Sequence, residues 1–396
     1  MAIKFIDEID LKGKTVLVRF DFNVPIDKAD SNKIIDTTRI DEALPTINYL
    51  IKIGVKKLIM MSHLGRPKGP EKKYSLLPVA TYLAQKLEEE FILTESAVDA
   101  GIKTLLTLSH PRLILLENLR FQKEEEANDP TFAKILASYA EYYVNDAFGT
   151  AHRKHASTYG VVQHFKNKAL GGLLLRREID ALDKIVQRPQ HPFLAIMGGA
   201  KVSDKIKIIE NILSEVDQLL IGGAMAYPFL QAKGIKVGKS LCAEEDVKLA
   251  KGILQLPTGQ KIILPSDHIA SDSLEGEPIP VDTIEIPANL IGLDIGPNTL
   301  KRFKECLRNC RTVLWNGPMG YFENPNFASG TFAIAQMLSE LPNAFTLVGG
   351  GDSVSAVKKS GLEQRISHVS TGGGASLEYI EEGSLVVINA LKFGVH

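Results

Sequence analysis

The sequence predicts an α/β fold of two doubly wound parallel-sheet domains joined by a connecting helix. Its 396 residues exceed what one hydrophobic core usually serves, since domains cluster at about 100 to 150 residues, so two domains are expected. Short, nearly continuous apolar runs recur along the chain, and segments with helical periodicity lie between them. A parallel sheet covered on both faces requires this alternation, because neither face meets water.

The apolar runs are predicted to be buried strands, each followed by a glycine or polar cluster. They cover residues 15–20, 58–61, 112–116, 142–144, 193–197, 219–221, 262–264, 312–315 and 345–348. Between the first two, apolar residues from Ile40 to Leu50 recur every three or four positions, and a similar series begins at Ile206. These series predict amphipathic helices that cover the sheets.

The boundary between the domains is predicted near Gly171 and Gly172. Residues 1–172 form the predicted N-terminal domain, 173–190 the connecting helix and hinge, and 191–381 the C-terminal domain. No internal repeat or low-complexity linker interrupts this plan, which argues against a bead-on-string arrangement.

The composition excludes several classes of function. Its 46 basic and 47 acidic residues give a formal net charge of −1, too small a field to attract nucleic acid or membranes nonspecifically. The N-terminus carries Asp7, Glu8 and Asp10 without the apolar core of a signal peptide, and no apolar stretch of about 18 residues occurs. We therefore expect a cytoplasmic protein whose partners are small molecules.

The three cysteines give little sign of chemistry. Cys242, Cys306 and Cys310 are odd in number and lack the paired spacing of a disulfide or zinc framework, which indicates a reducing compartment. Cys306 and Cys310 share a helix face with Leu300 and Phe303, so core packing is favoured over redox or metal chemistry.

Basic residues gather after the predicted strands of the N-terminal half. Because the carboxyl ends of parallel strands meet at one sheet edge, this set is expected to converge. It comprises Arg39, His63, Arg66, Arg120, His152 and Arg153. Guanidinium groups bind phosphate and carboxylate bidentately, so the set predicts an anion site, against the alternative of scattered surface ion pairs. Asp21 and Asn23 can receive a hydroxyl or orient an arginine, or else simply form a turn, and His155 is interpreted as structural.

Glycine clusters follow the strands of the C-terminal half. They lie at residues 198–199, 222–223, 317–320, 349–351 and 372–374. Glycine lets the backbone approach a ligand, and helix N-termini opened by such turns attract anions. Lys201 and Lys205 lie where their ammonium groups can reach the same phosphates, Asp352 suits magnesium, and Glu323 suits ribose hydroxyls. Tight turns and solvated helix faces are the alternatives.

Standard nucleotide motifs are missing. Residues 234–240 resemble a P-loop but have three residues between the glycines where four are required, and no G-x-G-x-x-G occurs. The first alternative interpretation is a nicotinamide dehydrogenase, and the absence of G-x-G-x-x-G argues against it. A noncatalytic nucleotide-gated or polyanion-binding protein is the second.

Taken together, the motifs resemble the phosphoglycerate kinase family over nearly the whole chain. The matching blocks are Asp21–Pro25, His63–Pro67, Glu117–Phe121, Asp146–Arg153, Gly198–Lys205, Trp315–Pro318 and Gly349–Ser353. The resemblance implies two Rossmann-like domains in a monomer. It also implies the glycolytic, reversible transfer of the acyl phosphate of 1,3-bisphosphoglycerate to Mg-ADP, which gives 3-phosphoglycerate and ATP.

The resemblance also assigns roles to individual residues. Those implied to hold the glycerate are Asp21, Asn23, Arg39, His63, Arg66, Arg120 and Arg153. Those implied to hold the nucleotide are Lys201, Lys205, Gly292, Glu323, Gly350, Gly351, Asp352 and Ser353, with Asp352 toward magnesium. Arg39, Lys205 and the amides of Gly372 and Gly373 are expected to surround the transferred phosphoryl when the cleft between the domains closes.

The C-terminal tail, residues 382–396, departs from the family pattern. The family usually carries a Leu-Pro-Gly turn before Ala-Leu, whereas residues 385–391 here are continuous and largely apolar. By resemblance, the tail is expected to return to the N-terminal domain.

Overall fold

The structure is a computed structural model, and it describes residues 2–395. The chain divides into two compact units. The first contains the residues up to Asp180 together with the stretch from Ser384 onward, and the second is Ala181–Gly383.

The first unit is built on a six-stranded parallel sheet. Its strands are β1 (Thr15–Phe20), β2 (Lys57–Met61), β3 (Phe91–Leu93), β4 (Leu113–Leu115), β5 (Tyr142–Asp146) and β6 (Ala169–Gly171). Their order across the sheet is β3-β4-β2-β1-β5-β6. The chain therefore winds outward from β1 in both directions, which makes the sheet doubly wound.

Helices cover this sheet. They are α1 (Thr38–Asp41), α2 (Leu44–Lys52), α3 (Leu77–Leu87), α4 (Ala100–Thr107), α5 (Lys123–Glu126), α6 (Pro130–Ala137) and α7 (Leu173–Val186). Ile47 and Leu50 of α2 are fully buried and pack with the apolar side chains of β1 and β2 in one core. The boundary between the units falls within α7, which forms most of the connecting segment predicted over 173–190.

The second unit also contains a six-stranded parallel sheet. Its strands are β7 (Phe193–Met197), β8 (Gln218–Ile221), β9 (Ile262–Ile263), β13 (Thr312–Asn316), β14 (Phe345–Gly349) and β15 (His368–Val369). The order β15-β14-β13-β7-β8-β9 again winds outward in both directions, here from β7 and β13.

A separate three-stranded antiparallel sheet lies between β9 and β13 in the chain. It consists of β10 (His268–Ser271), β11 (Ile279–Val281) and β12 (Ile291–Ile295), in the order β11-β10-β12. The sequence interpretation did not include this sheet. Polar, Gly and Pro residues separate its short strands, so no apolar run marks them.

The helices of the second unit and the final helix complete the fold. They are α8 (Ile206–Glu215), α9 (Ala226–Ala232), α10 (Glu244–Gln255), α11 (Pro297–Leu307), α12 (Ser329–Ser339), α13 (Gly351–Ser360), α14 (Gly374–Glu382) and α15 (Val386–Phe393). Cys310 belongs to the core beneath α11 and α12, where the sequence favoured packing. Helix α15 belongs to the first unit, where Val387 N donates to Ala151 O over 3.0 Å.

Each of the nine predicted strands is present, within two residues of its predicted ends. The predicted α/β class with two doubly wound parallel sheets is confirmed. Over residues 2–395, no helix combines the length and apolar character needed to cross a membrane.

Candidate functional site

The switch point of the first sheet positions one group of polar side chains. β1 has β2 on one side and β5 on the other, so the loops that follow these strands leave in opposite directions. Ligands of open α/β sheets bind in the crevice that such divergence creates. The loops after β1, β2 and β5 carry most of the predicted anion-binding residues.

Arg39 and Asp21 form an ion pair at this switch point. Arg39 lies on the short helix α1, and Asp21 directly follows β1. Nη1 of Arg39 donates to Oδ2 of Asp21 over 2.5 Å. Burial alone would raise the pKa of Asp21, but Arg39 and other nearby charges hold that pKa below its usual value. Asp21 is therefore an anion that fixes the direction of Arg39.

His63 is buried beside the same carboxylate. Its Nδ1 lies 3.9 Å from Oδ1 of Asp21 and 3.1 Å from Nη2 of Arg19. Burial lowers the pKa of His63 well below its usual value, and the attraction of Asp21 does not offset this. His63 is consequently neutral, with a ring nitrogen available to donate to an anion.

Asn23 and Arg120 hold the loop after β2. Gly65 N donates to Oδ1 of Asn23 over 2.8 Å, and Nη1 of Arg120 donates to Gly65 O over 2.7 Å. Nη2 of Arg120 also pairs with Glu126 at 3.0 Å, so part of its guanidinium serves the local fold. Nε of Arg120 is buried and has no partner in the described part of the chain.

His152 and Arg153 bring the loop after β5 into this region. Nε of Arg153 donates to Nε2 of His152 over 3.1 Å. Burial is the largest cause that lowers the pKa of Arg120, and Arg153 and Arg19 lower it further, so these three guanidiniums share one region. The His155 ring lies 3.9 Å from the buried carboxylate of Glu125, in a structural position.

Arg66 is the exception in this group. Its neighbour Gly65 is tied to Asn23 and Arg120, but Arg66 itself is exposed. Within residues 2–395, its side chain makes no hydrogen bond or ion pair with the protein. The structure thus brings together Asp21, Asn23, Arg39, His63, Arg120 and Arg153, and leaves the Arg66 guanidinium open to solvent.

Three buried polar residues beside this group escaped the sequence interpretation. Arg19 lies inside β1 with 1% of its surface exposed, and Ser157 and Glu125 are fully buried. A charged residue within the apolar run 15–20 was the available signal for Arg19. Ser157 and Glu125 gave no signal, because their contacts join segments far apart in the chain.

The glycine clusters of the second unit divide into two kinds. A Cβ on Gly198 would lie 2.1 Å from Pro318 O, and one on Gly223 would lie 2.7 Å from the same oxygen. These glycines are needed because the loops after β7, β8 and β13 pack against one another. Part of the glycine pattern that predicted a ligand is therefore explained by contact between loops.

The clusters before α13 and α14 face open space instead. A Cβ on Gly351, Gly373 or Gly374 would meet nothing within 4 Å. Neither helix has a side chain that caps its first turn, so N-terminal amides remain available to an anion. Gly372 differs from its neighbour Gly373, because Gly372 N already donates to Oγ of Ser370 over 3.2 Å.

Lys205 contacts the loops that follow β7 and β13. Its Nζ donates to Gly198 O over 2.7 Å and to Asn316 O over 3.2 Å. Burial lowers the pKa of Lys205 to about 8, although Asp352 and Asp204 act in the opposite direction. Asp352 therefore lies close enough to Lys205 for their charges to interact.

The remaining predicted nucleotide residues lie in several parts of the second unit. Lys201 and Glu323 are exposed, and Gly317 N donates to Oγ of the buried Ser353 over 2.6 Å. Gly292 lies on β12, where a Cβ would approach the hydroxyl of Tyr227 to 2.3 Å. Gly350 precedes α13 with φ 88°, a conformation that favours glycine.

A magnesium ion accompanying a nucleotide fits this donor set. Magnesium keeps several waters and is usually held by one or two carboxylates together with substrate phosphates. Asp352 supplies one exposed carboxylate in the first turn of α13, beside the open amides. No group of three or more His, Cys, Asp or Glu side chains that could hold a metal occurs within residues 2–395, so an all-protein cage is not formed there.

The family model described as phosphoglycerate kinase matches residues 6–383 of the chain. Among curated relatives, phosphoglycerate kinase of Anaeromyxobacter sp. (strain Fw109-5) is 48% identical over 400 residues, covering 99% of this chain and 100% of that protein. The cytosolic phosphoglycerate kinase of Triticum aestivum is 48% identical over 397 residues, covering 98% of each.

Solved structures agree with these relatives. Phosphoglycerate kinase from Coxiella burnetii has a TM-score of 0.87 and 38% identity, over 98% of this chain and 99% of that one. Phosphoglycerate kinase from Pyrococcus horikoshii OT3 has a TM-score of 0.85 and 32% identity, over 99% of each chain.

Proposed function

Because the chain belongs to the phosphoglycerate kinase family, and is thus a glycolytic phosphotransferase with a carboxyl group as acceptor, we propose how its residues divide the reaction. The first unit binds 3-phosphoglycerate or 1,3-bisphosphoglycerate, and the second binds Mg-ATP or Mg-ADP. The observation that carries this division is the contrast between the strand ends, with guanidiniums in the first unit and open helix amides beside Lys205 in the second.

The acid substrate carries a phosphate, a hydroxyl and a carboxyl group. Arg39, Arg120 and Arg153 offer planar donors to its oxyanions, and neutral His63 offers one N–H. Asp21 orients Arg39 and can also accept the substrate hydroxyl. We propose that Asn23 supports the site by holding the loop at Gly65 in place. The exposed Arg66 is proposed to add its guanidinium to the site when the substrate binds.

The nucleotide phosphates are proposed to lie at the N-terminus of α13. The amides of Gly350, Gly351 and Ser353 would neutralise phosphate oxygens there, while Lys201 and Lys205 add ammonium groups. Asp352 would hold the magnesium ion, which when bound supplies positive charge to the phosphate oxygens. Gly292, which packs closely against the hydroxyl of Tyr227, is proposed to lie beside the base, and Glu323 would take ribose hydroxyls.

Transfer itself is proposed to be direct and in line, during closure of the hinge. A phosphoryl in flight spreads charge over three equatorial oxygens, so positioning and neutralisation provide most of the catalysis. Arg39, Lys205 and the Gly373 amide would surround those oxygens, and Gly372 would join them once its amide leaves Ser370. Exclusion of water at that moment would prevent hydrolysis.

We propose that the enzyme acts as a monomer in the cytoplasm. The monomer follows from the family resemblance, and the three cysteines are free, which fits a reducing compartment.

The decisive experiment measures turnover with defined substrates. Consumption of ATP should depend on 3-phosphoglycerate, with ADP and an acyl phosphate as products. Hydride transfer to a nicotinamide cofactor in place of phosphoryl transfer would support the dehydrogenase alternative. Binding of both ligands without turnover would instead support a noncatalytic binding protein.

A further inference from the structure

A chain of buried hydrogen bonds runs behind the anion site of the first unit. It connects Glu125 to Ser157, Ser157 to Arg19, and Arg19 to His63. All four residues are at most 2% exposed, so water does not compete for these bonds. The proposed function assigns a role only to His63, at the end of the chain.

The direction of each bond follows from the chemistry of the groups. Ser157 Oγ donates to Oε1 of Glu125 over 2.6 Å, so its lone pairs are free to accept Nε–H of Arg19 over 2.8 Å. A guanidinium has no lone pair, so Nη2 of Arg19 must donate to Nδ1 of His63, 3.1 Å away. Nδ1 therefore carries no proton, and a neutral His63 has its proton on Nε2.

Asp21 would favour the other state of His63, in which Nδ1 carries a proton. Oδ1 of Asp21 lies 3.9 Å from Nδ1 of His63, the same nitrogen that accepts a hydrogen bond from Arg19. Without Arg19, protonation of Nδ1 would let His63 pair with Asp21. The imidazole would then lose the fixed tautomer that presents Nε2–H as a donor.

Glu125 stabilises this arrangement as a buried counter-charge. Ser157 donates to both of its oxygens, through the backbone N over 3.0 Å and through Oγ over 2.6 Å, as expected for a carboxylate. Burial raises the pKa of Glu125, and Arg19 and Ser157 oppose that rise. A guanidinium buried as deeply as Arg19 needs such a partner.

We propose that Glu125, acting through Ser157 and Arg19, is a positioning residue that locks His63 in the Nε2–H tautomer for binding the acid substrate. The proposal rests on the proposed function, because it assumes that His63 donates to that substrate. Glu125 itself lies behind the site and acts only through this chain.

Two variants break the chain at different links. Ser157→Ala removes the hydroxyl that joins Glu125 to Arg19, and Glu125→Gln keeps the shape while it removes the counter-charge. Thr299→Val is the matched control, since the buried Thr299 hydroxyl donates over 2.6 Å to the buried Asp267 in the second unit. The control removes an equivalent bond without touching the anion site.

The primary readout is the tautomer of His63, measured by nuclear magnetic resonance on protein labelled with 15N and 13C at histidine. Loss of one signal in His63→Gln assigns His63 among the nine histidines. The parent and Thr299→Val should give the Nε2–H signature. Ser157→Ala and Glu125→Gln should give the Nδ1–H or charged form.

The second readout is calorimetric affinity for 3-phosphoglycerate. We expect about a fivefold loss in both variants, the scale of one net hydrogen bond, and little change in the control. An unchanged Nε2–H signature in a folded Ser157→Ala or Glu125→Gln protein would overturn the inference, as would a changed tautomer with unchanged affinity. Failure of the parent protein to bind 3-phosphoglycerate would instead overturn the proposed function, whatever the histidine signal shows.

Discussion

Asp21 holds the guanidinium of Arg39 at the end of β1, through a contact of 2.5 Å between side chains 18 positions apart. The Asp21 carboxylate fixes the direction of the Arg39 side chain. That side chain is 35% exposed, so part of it stays accessible to a ligand. An arginine held in advance loses less conformational entropy when it meets a phosphoryl group than a freely moving one.

Replacing Arg39 with alanine should lower kcat by about 10²- to 10³-fold, the effect of losing one donor to the transition state. Arg112→Ala is the control, since Arg112 donates to Val55 O and is not part of the site. Steady-state kinetics in the direction of ATP synthesis would measure both. An Arg39→Ala enzyme within twofold of the parent would remove Arg39 from the proposed mechanism.

Arg66→Ala should raise KM for 3-phosphoglycerate and leave folding stability unchanged. Arg66 is exposed and makes no bond within the described chain, so its loss should alter the unfolding free energy by less than about 0.5 kcal/mol. Denaturant unfolding and kinetics on the same sample would separate the two effects. Arg308→Ala, another exposed arginine, should change neither quantity, and an unaltered KM in Arg66→Ala would contradict the assignment.

Asp352→Asn should weaken nucleotide binding only when magnesium is present, because the carboxylate is proposed to bind the ion and not the phosphates. Calorimetry with ADP, with magnesium and then with a chelator, would test this. Asp204→Asn is the matched control, since Asp204 is also exposed and also acts on Lys205. Equal affinity of parent and Asp352→Asn for Mg-ADP would contradict the magnesium role.

The pH dependence of kcat/KM for ADP should carry an alkaline limb due to Lys205. Burial lowers the pKa of Lys205 to about 8, so the amine is charged below that value and loses its charge as pH rises through it. Bound phosphates favour the charged amine, so the limb in kcat should lie at higher pH than the limb in kcat/KM. Lys205→Arg should abolish the limb, because a guanidinium stays charged, whereas Lys201→Arg should keep it. A parent profile that is flat between about pH 7 and 9 would argue against this role.

Two adjacent glycines should respond to alanine in different ways. Gly350 has φ 88°, and a Cβ there would lie 2.7 Å from Nδ2 of Asn316, so Gly350→Ala should destabilise the fold by about 1–2 kcal/mol. Gly351 is helical and faces open space, so Gly351→Ala should keep full stability and weaken nucleotide binding. Thermal unfolding and calorimetry distinguish the two. Full nucleotide affinity in Gly351→Ala would contradict close approach of a phosphate to this turn.

The sequence predicted the elements whose signals are local. Strands such as β1 and β7 are continuous apolar runs, and the switch-point rule then placed Asp21, Arg39 and His63 at one edge of the sheet. The two-residue strand β15 and the antiparallel β10–β12 sheet lack such runs, because β15 is very short and because polar, Pro or Gly residues interrupt the other three strands. Their formation depends on pairing with strands that the rest of the fold supplies.

Side-chain partners were harder to predict than positions. Arg19 reaches Ser157 across 138 positions, and no local pattern encodes that contact. The glycine clusters raised a different difficulty, since close packing of loops and close approach of a ligand require the same residue. The structure distinguishes the two causes: Gly198 is packed against the loop at Pro318, whereas Gly351 faces open space.

The position of α15 affects the order in which the protein is completed during synthesis. The second unit is one continuous stretch of chain. The first unit also includes the segment that contains α15, which leaves the ribosome only after the whole second unit has been synthesised. Leu385, Val387 and Ile388 are at most 1% exposed in the finished protein. Until they emerge, the nascent first unit keeps an uncovered apolar face near β6, and the earliest strands translated belong to the unit that is completed last.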